Sequence, residues 1–135
     1  MAELMRLTLP YPPSMNSYWR SVSKGRLSGR VLISEAGRQY RKLVSHQIGA
    51  DRQRLALSDR LKVSVLANPP DRRRRDLDNL LKPLLDTLQH AGVYLDDTQI
   101  DDLRITRGDV LPGGRVVVEI ESAAGMDWRE AMGDA

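Results

Sequence analysis

The sequence predicts an α+β fold, a single small domain in which a mixed β-sheet of about four strands carries two main helices, in the order β-α-β-α-β-β. Three observations lead there. Stretches with an apolar residue at every second position alternate with stretches that repeat at helical spacing. Proline and glycine punctuate the joints between them. The 135 residues suffice for one domain with a core and fall short of two ordinary ones.

Met5, Leu7 and Leu9 alternate with Arg6 and Thr8 as in a half-buried strand, which Pro10, Pro12 and Pro13 end. Residues 14 to 30, rich in Ser, Gly, Arg and Lys, show no periodicity and read as a long loop, functional or mobile rather than structural. Ser34 is then an expected N-cap with Glu35 in the first turn, and Tyr40, Leu43, Val44 and Ile48 mark a helix to about residue 53. Its outer face carries Arg38, Arg41 and Lys42, the composition of a solvated surface.

Leu61, Val63, Val65 and Ala67 define a second strand, stopped by Pro69 and Pro70. Leu80, Leu81, Leu84, Leu85, Leu88 and Ala91 define a second amphipathic helix, with Gly92 placed to end it. Pro83 is tolerable there if the helix begins near Asp78 or Asn79, so that the proline closes the first turn. Leu103 and Ile105, then Val116, Val118 and Ile120, alternate on either side of an LPGGR turn signal and predict an antiparallel hairpin. Residues 122–135 form a peripheral or flexible tail, with Met126, Trp128 and Met132 able to dock it.

Composition narrows the chemistry. The sequence has no phenylalanine, so the core falls to Leu, Val and Ile, and no cysteine, which excludes disulfides, thiolate zinc sites and thiol nucleophiles. No stretch approaches the roughly 20 apolar residues that span a bilayer, and the charged, proline-broken start does not read as a signal peptide. A cytoplasmic protein with no membrane partner is expected. No Ser-His-Asp, P-loop or dinucleotide-binding glycine pattern occurs, and His46 and His90, on predicted helices, read as surface or satisfied residues rather than ligands or bases. The net charge of +3 is unevenly spread. Arg20, Lys24, Arg26 and Arg30 form one basic loop and Arg72, Arg73, Arg74 and Arg75 another, a pair able to flank nucleic acid.

The stretch DRRRRDLDNLLK, residues 71 to 82, sets four arginines against clustered carboxylates. Acidic groups beside a phosphate-binding surface weaken binding unless a cation lies between them. In extended backbone Asp76 and Asp78 would project to one side with Leu77 on the other, and carboxylate oxygens suit Mg²⁺ or Mn²⁺. Lys82, four residues after Asp78, shares its helical ridge. Asp96 and Asp97 follow the helix, and either is able to complete the set. The competing reading is bland: Asp76 offsets Arg75 and Asp78 caps the helix.

The segments PPSMNSYWR and PPDRRRRDLDNLLKPLLDTLQHAGVYLDDTQIDDL resemble the RusA family of Holliday-junction resolvases, with residues 1–121 as the family-like domain. The resemblance implies a homodimeric, Mg²⁺-dependent endonuclease, often phage- or prophage-borne, acting on four-way DNA in recombination and repair. It assigns metal-binding and catalytic roles to Asp76, Asp78 and Asp97 and a catalytic role to Lys82. Asn16, Asn79 and Asp96 complete the candidate residues. Two other readings remain: a non-catalytic binder of branched DNA, and a nuclease for flaps or replication forks.

Overall fold

Alternating apolar side chains build the sheet, and the chain order of its strands differs from their order in space. The computed structural model describes residues 3–124, 129, 132 and 133. Strand β1 (Glu3–Leu9) buries Met5, Leu7 and Leu9, β4 (Leu61–Asn68) buries Leu61, Val63, Val65 and Ala67, and β6 (Arg115–Ser122) buries Val116, Val118 and Ile120. With β5 (Ile100–Arg107) these strands form one mixed sheet in the order β1-β6-β4-β5. Register places Leu7, Val118, Val65 and Ile105 in a row across all four.

The expected hairpin does not form. β5 pairs parallel with β4, while β6 lies antiparallel between β4 and β1. Alternation reports which face of a strand is buried and is silent on its neighbour. A helix between β4 and β5 supplies the crossover that a parallel pair needs. The LPGGR segment is still a turn, but it carries the chain across the end of β4: the amide of Gly108 donates to the Ala67 carbonyl at 2.8 Å and that of Leu111 to the Pro69 carbonyl at 2.9 Å. Gly114 sits at φ +70°, where an added Cβ would lie 2.9 Å from that of Tyr11.

Helix α2 (Glu35–Ala50) starts as expected, with Ser34 Oγ accepting from the Gly37 amide at 3.0 Å. It ends three residues early, and Leu43 is 54% exposed where its spacing suggested core. Helix α3 (Asp78–His90) buries Leu80, Leu84, Leu85 and Leu88 against the sheet, and each fully buried leucine contributes about 2 kcal/mol relative to exposure. Pro83 is buried at its sixth position, beyond the first turn, so the Asn79 carbonyl loses its intrahelical donor.

Residues 14–30 are more ordered than their composition suggested. They hold a one-turn helix α1 (Met15–Tyr18) and strand β2 (Trp19–Ser21), which pairs antiparallel with β3 (Val31–Ile33) as a separate ribbon. Its connection is closed by the Val22 amide donating to the Arg30 carbonyl at 2.9 Å. The ribbon's anchor is Tyr18, fully buried and in edge contact with Trp19 at 4.5 Å between ring centroids. Of the expected tail anchors, Met126 and Trp128 lie outside the described residues, and Met132 is exposed. No helix among the described residues is long and apolar enough to cross a membrane.

Candidate active site

The end of β1, the end of β4 and the start of β6 meet at one edge of the sheet, as Leu9 opposite Val116 and Asn68 opposite Arg115 show. The arginine block leaves β4 here and leads directly into α3. Leu77, the residue before the helix, already has helical backbone angles (φ −62°, ψ −36°). Asp76 and Asp78 therefore straddle a helix start, and the extended alternation expected for them does not hold.

Both halves of the bland reading fail on geometry. The helix has no side-chain cap, so Asp78 caps nothing. Arg75 turns to Asp71, at 2.7 Å from its Oδ1, and Arg73 joins it at 3.0 Å from Oδ2. These bonds, from Arg75 first and then Arg73, hold the Asp71 carboxyl well below the usual carboxylate range. Asp76 and Asp78, both exposed, have no side-chain hydrogen bond or ion pair among the described residues. Asp78 does lie in the first helical turn, where the helix dipole favours a negative charge.

The second pair of aspartates divides by role. Asp96 caps the 3₁₀ turn Asp97–Gln99: its carboxylate accepts from the Thr98 amide at 2.9 Å, and Gln99 reaches back to the Asp96 amide at 2.7 Å. The Thr98 amide bond keeps the Asp96 carboxyl below its ordinary value. Asp97 is left for longer-range contact. Its amide donates to Gln89 Oε1 at 2.9 Å, and its Oδ2 lies 3.6 Å from Lys82 Nζ. Lys82 thus turns to Asp97, with Asp78 one turn back along the same helix.

The four arginines also divide. Arg73 and Arg75 are engaged by Asp71, and Arg75 further lies over the Tyr11 ring at 5.9 Å. Arg72 and Arg74 are exposed, with no side-chain partner among the described residues. Arg107, which lies outside both basic loops, donates to the Arg75 carbonyl at 2.8 Å, and Arg115 donates to Asn68 Oδ1 at 3.0 Å, so both add charge to this edge. Arg20 on β2 and Lys24, Arg26 and Arg30 in the β2–β3 connection are all exposed. Asn16 is exposed on α1. Asn79 and Asp76 line a cleft of about 820 Å³ that Arg74 and Arg75 also border.

A second polar cluster has no counterpart in the sequence pattern. Tyr18 donates to Asp86 Oδ2 at 2.6 Å, Arg41 donates to the same oxygen at 2.7 Å and to the Tyr18 hydroxyl at 2.7 Å, and Thr87 lies 3.0 Å from that hydroxyl. Arg41 therefore leaves the solvated face expected for it and ties α2 to α3 and α1. Burial pushes the Asp86 carboxyl up, but the bonds from Tyr18 and Arg41, with help from the charges of Arg41 and Lys82, outweigh burial and bring it below its ordinary value. The available signal was an acid set among the leucines of an amphipathic helix.

No group of three acidic or imidazole side chains close enough to hold a metal occurs among the described residues, so Asp76, Asp78 and Asp97 do not form a ready-made cage. The donor chemistry still fits a hard divalent cation. Mg²⁺ commonly takes one or two carboxylates and fills its shell with water and substrate phosphate oxygens, and two unpartnered carboxylates flank Leu77 at the start of α3, Asp76 sharing a cleft with Arg74 and Arg75.

Residues 10–121 match the sequence model of the family described as endodeoxyribonuclease RusA. The chain is 47% identical over 115 residues to the crossover junction endodeoxyribonuclease rusA of Enterobacteria phage HK97, covering 85% of this chain and 92% of that one. It is 41% identical over 114 residues to its counterpart from Enterobacteria phage 82, covering 84% and 91%. The crossover junction endodeoxyribonuclease RusA of Escherichia coli strain K12 is 40% identical over 114 residues, with the same coverage of 84% and 91%.

Proposed function

Since the chain belongs to the endodeoxyribonuclease RusA family, we propose that it resolves four-way DNA junctions by Mg²⁺-dependent hydrolysis of phosphodiester bonds in two symmetric strands, acting as a homodimer in recombination and repair. The observation that carries this reading is the pairing of Asp71 with Arg73 and Arg75, which leaves Asp76 and Asp78 without protein partners beside Arg72 and Arg74. A chain that used its aspartates only to neutralise arginines would pair the nearest ones.

In this reading Asp76 and Asp78 hold the cation, with Mn²⁺ an acceptable substitute, and Asp97 is the third carboxylate of the set. A divalent ion so held would activate water for attack and offset charge on the phosphate in the transition state. Lys82, four residues along the helix from Asp78, brings an ammonium that contacts Asp97 and is 59% exposed, so it is free to turn towards a phosphate oxygen. Arg72 and Arg74 fix phosphates beside the scissile one, and the β2–β3 connection with Lys24, Arg26 and Arg30 holds a neighbouring arm. A two-fold dimer presents two such sites to strands of like polarity, which is what intact duplex products require.

Cleavage of a synthetic four-way junction, a replication fork, a flap and a linear duplex, compared with and without Mg²⁺, tests the proposal. Paired symmetric nicks in the junction, dependent on the metal, are expected. Junction binding without nicks at any metal concentration would establish a non-catalytic binder, and preferential cutting of forks or flaps would move the substrate.

A further inference from the structure

The cleft beside Asp76 is the wrong kind of surface for a phosphate backbone. Its 820 Å³ volume lies in the range of small-molecule pockets, whereas a duplex covers a broad, polar and positively charged surface. One wall is Tyr11 and Pro13, held in place by the Tyr40 hydroxyl donating to the Pro10 carbonyl at 2.7 Å. The opposite wall is α2, where Ala36 and Leu43 are exposed to the cleft. Its polar lining includes Gln39, Arg74, Arg75, Asp76 and Asn79, and the Asn79 amide has no side-chain partner among the described residues.

We infer that this cleft receives one unstacked nucleobase of the DNA strand being cut, next to the scissile phosphate, and so helps set where the strand is cleaved. The inference rests on the nuclease reading above and deepens it. The apolar side chains of Tyr11, Pro13, Ala36 and Leu43 offer faces for a flat heterocycle, Asn79 offers both a donor and an acceptor to a base edge, and Arg74 on the same lining offers a cation to the nucleotide's own phosphate. A base must leave its stack to enter such a cleft, which costs a few kcal/mol in regular duplex and less where stacking is interrupted. The centre of a branched substrate is such a point, and unstacking costs least there. Asp76 lines the same cleft, which fixes the base within a nucleotide or two of the reacting phosphate.

Abasic substitution combined with filling of the cleft tests this in the full-length chain. Four-way junctions carrying an abasic residue in turn at each of the nucleotides flanking the scissile phosphate are cut under single-turnover conditions by the wild type, by Ala36→Trp and by Leu43→Trp. Both substituted positions are exposed, so either variant serves if the other fails to fold. The wild type should lose about tenfold in rate at one abasic position, as expected for removal of a stacking contact. The filled variants should cut the intact junction about as slowly as the wild type cuts the abasic one, and should lose little more when that base is removed. Indifference of the wild type to every abasic position overturns the inference, as does full abasic sensitivity in both filled variants. Failure of the wild type to cut any DNA overturns the nuclease reading beneath it.

Discussion

Lys82 Nζ lies 3.6 Å from Asp97 Oδ2 and joins the first half of α3 to the turn that precedes β5. The pair is solvent-accessible on the lysine side, 59% exposed against 28% for the aspartate, so it constrains position more than it stabilises the fold. It also separates Asp97 from Asp96, whose carboxylate is spent on capping.

Lys82→Met should therefore separate activity from stability. Single-turnover junction cleavage should fall by about 10²-fold, the usual scale for losing one positioned charge in a transition state. Thermal unfolding should move by no more than the equivalent of about 1 kcal/mol. A large loss of stability with a proportionate loss of cleavage would make the pair structural instead.

Replacing Arg72 and Arg74 together by alanine should weaken binding to every DNA shape and reduce the slope of log K against log salt by about two phosphate contacts' worth. Replacing Arg73 and Arg75 should change the slope less, because Asp71 already neutralises part of their charge. Binding titrations across a salt series distinguish the two pairs, and equal slopes would show that the Asp71 pairing does not persist in solution.

Asp86 links the fold to pH. Its carboxyl is depressed in the folded state by Tyr18 and Arg41, which overcome the opposing effect of burial. Its contribution is thus complete above the unfolded carboxylate value of about 4 and is lost as pH falls through the lower folded value. Asp86→Asn should cost about 2 kcal/mol at neutral pH, since the Arg41 guanidinium loses a charged partner, and should flatten the acid limb of stability against pH. Urea unfolding from pH 7 to pH 3 checks both, and an unchanged acid limb would assign it to other carboxylates.

The alternating strands, the Ser34 cap and the leucines of α3 were legible in the sequence because each depends on local pattern. The neighbours of β5 were not, since period-two alternation looks the same in a hairpin and in a crossover. Leu77 hid the true geometry of Asp76 and Asp78, because one helical residue between them breaks an alternation that the letters D-L-D suggest. The arginine block read as a unit of four, yet Asp71 divides it, and a carboxylate's choice among adjacent guanidiniums is set by loop geometry. The network of Tyr18, Arg41 and Asp86 joins residues up to 68 positions apart and could come only from tertiary packing.

The central claim is that Asp76 and Asp78 stand unpaired because they serve a cation and a phosphate, and Asp78→Asn tests it most directly. Cleavage of a four-way junction in Mg²⁺ should be abolished, while binding to the same junction is retained or tightened because a negative charge has left the groove. Cleavage by the purified variant at the wild-type rate would contradict the account.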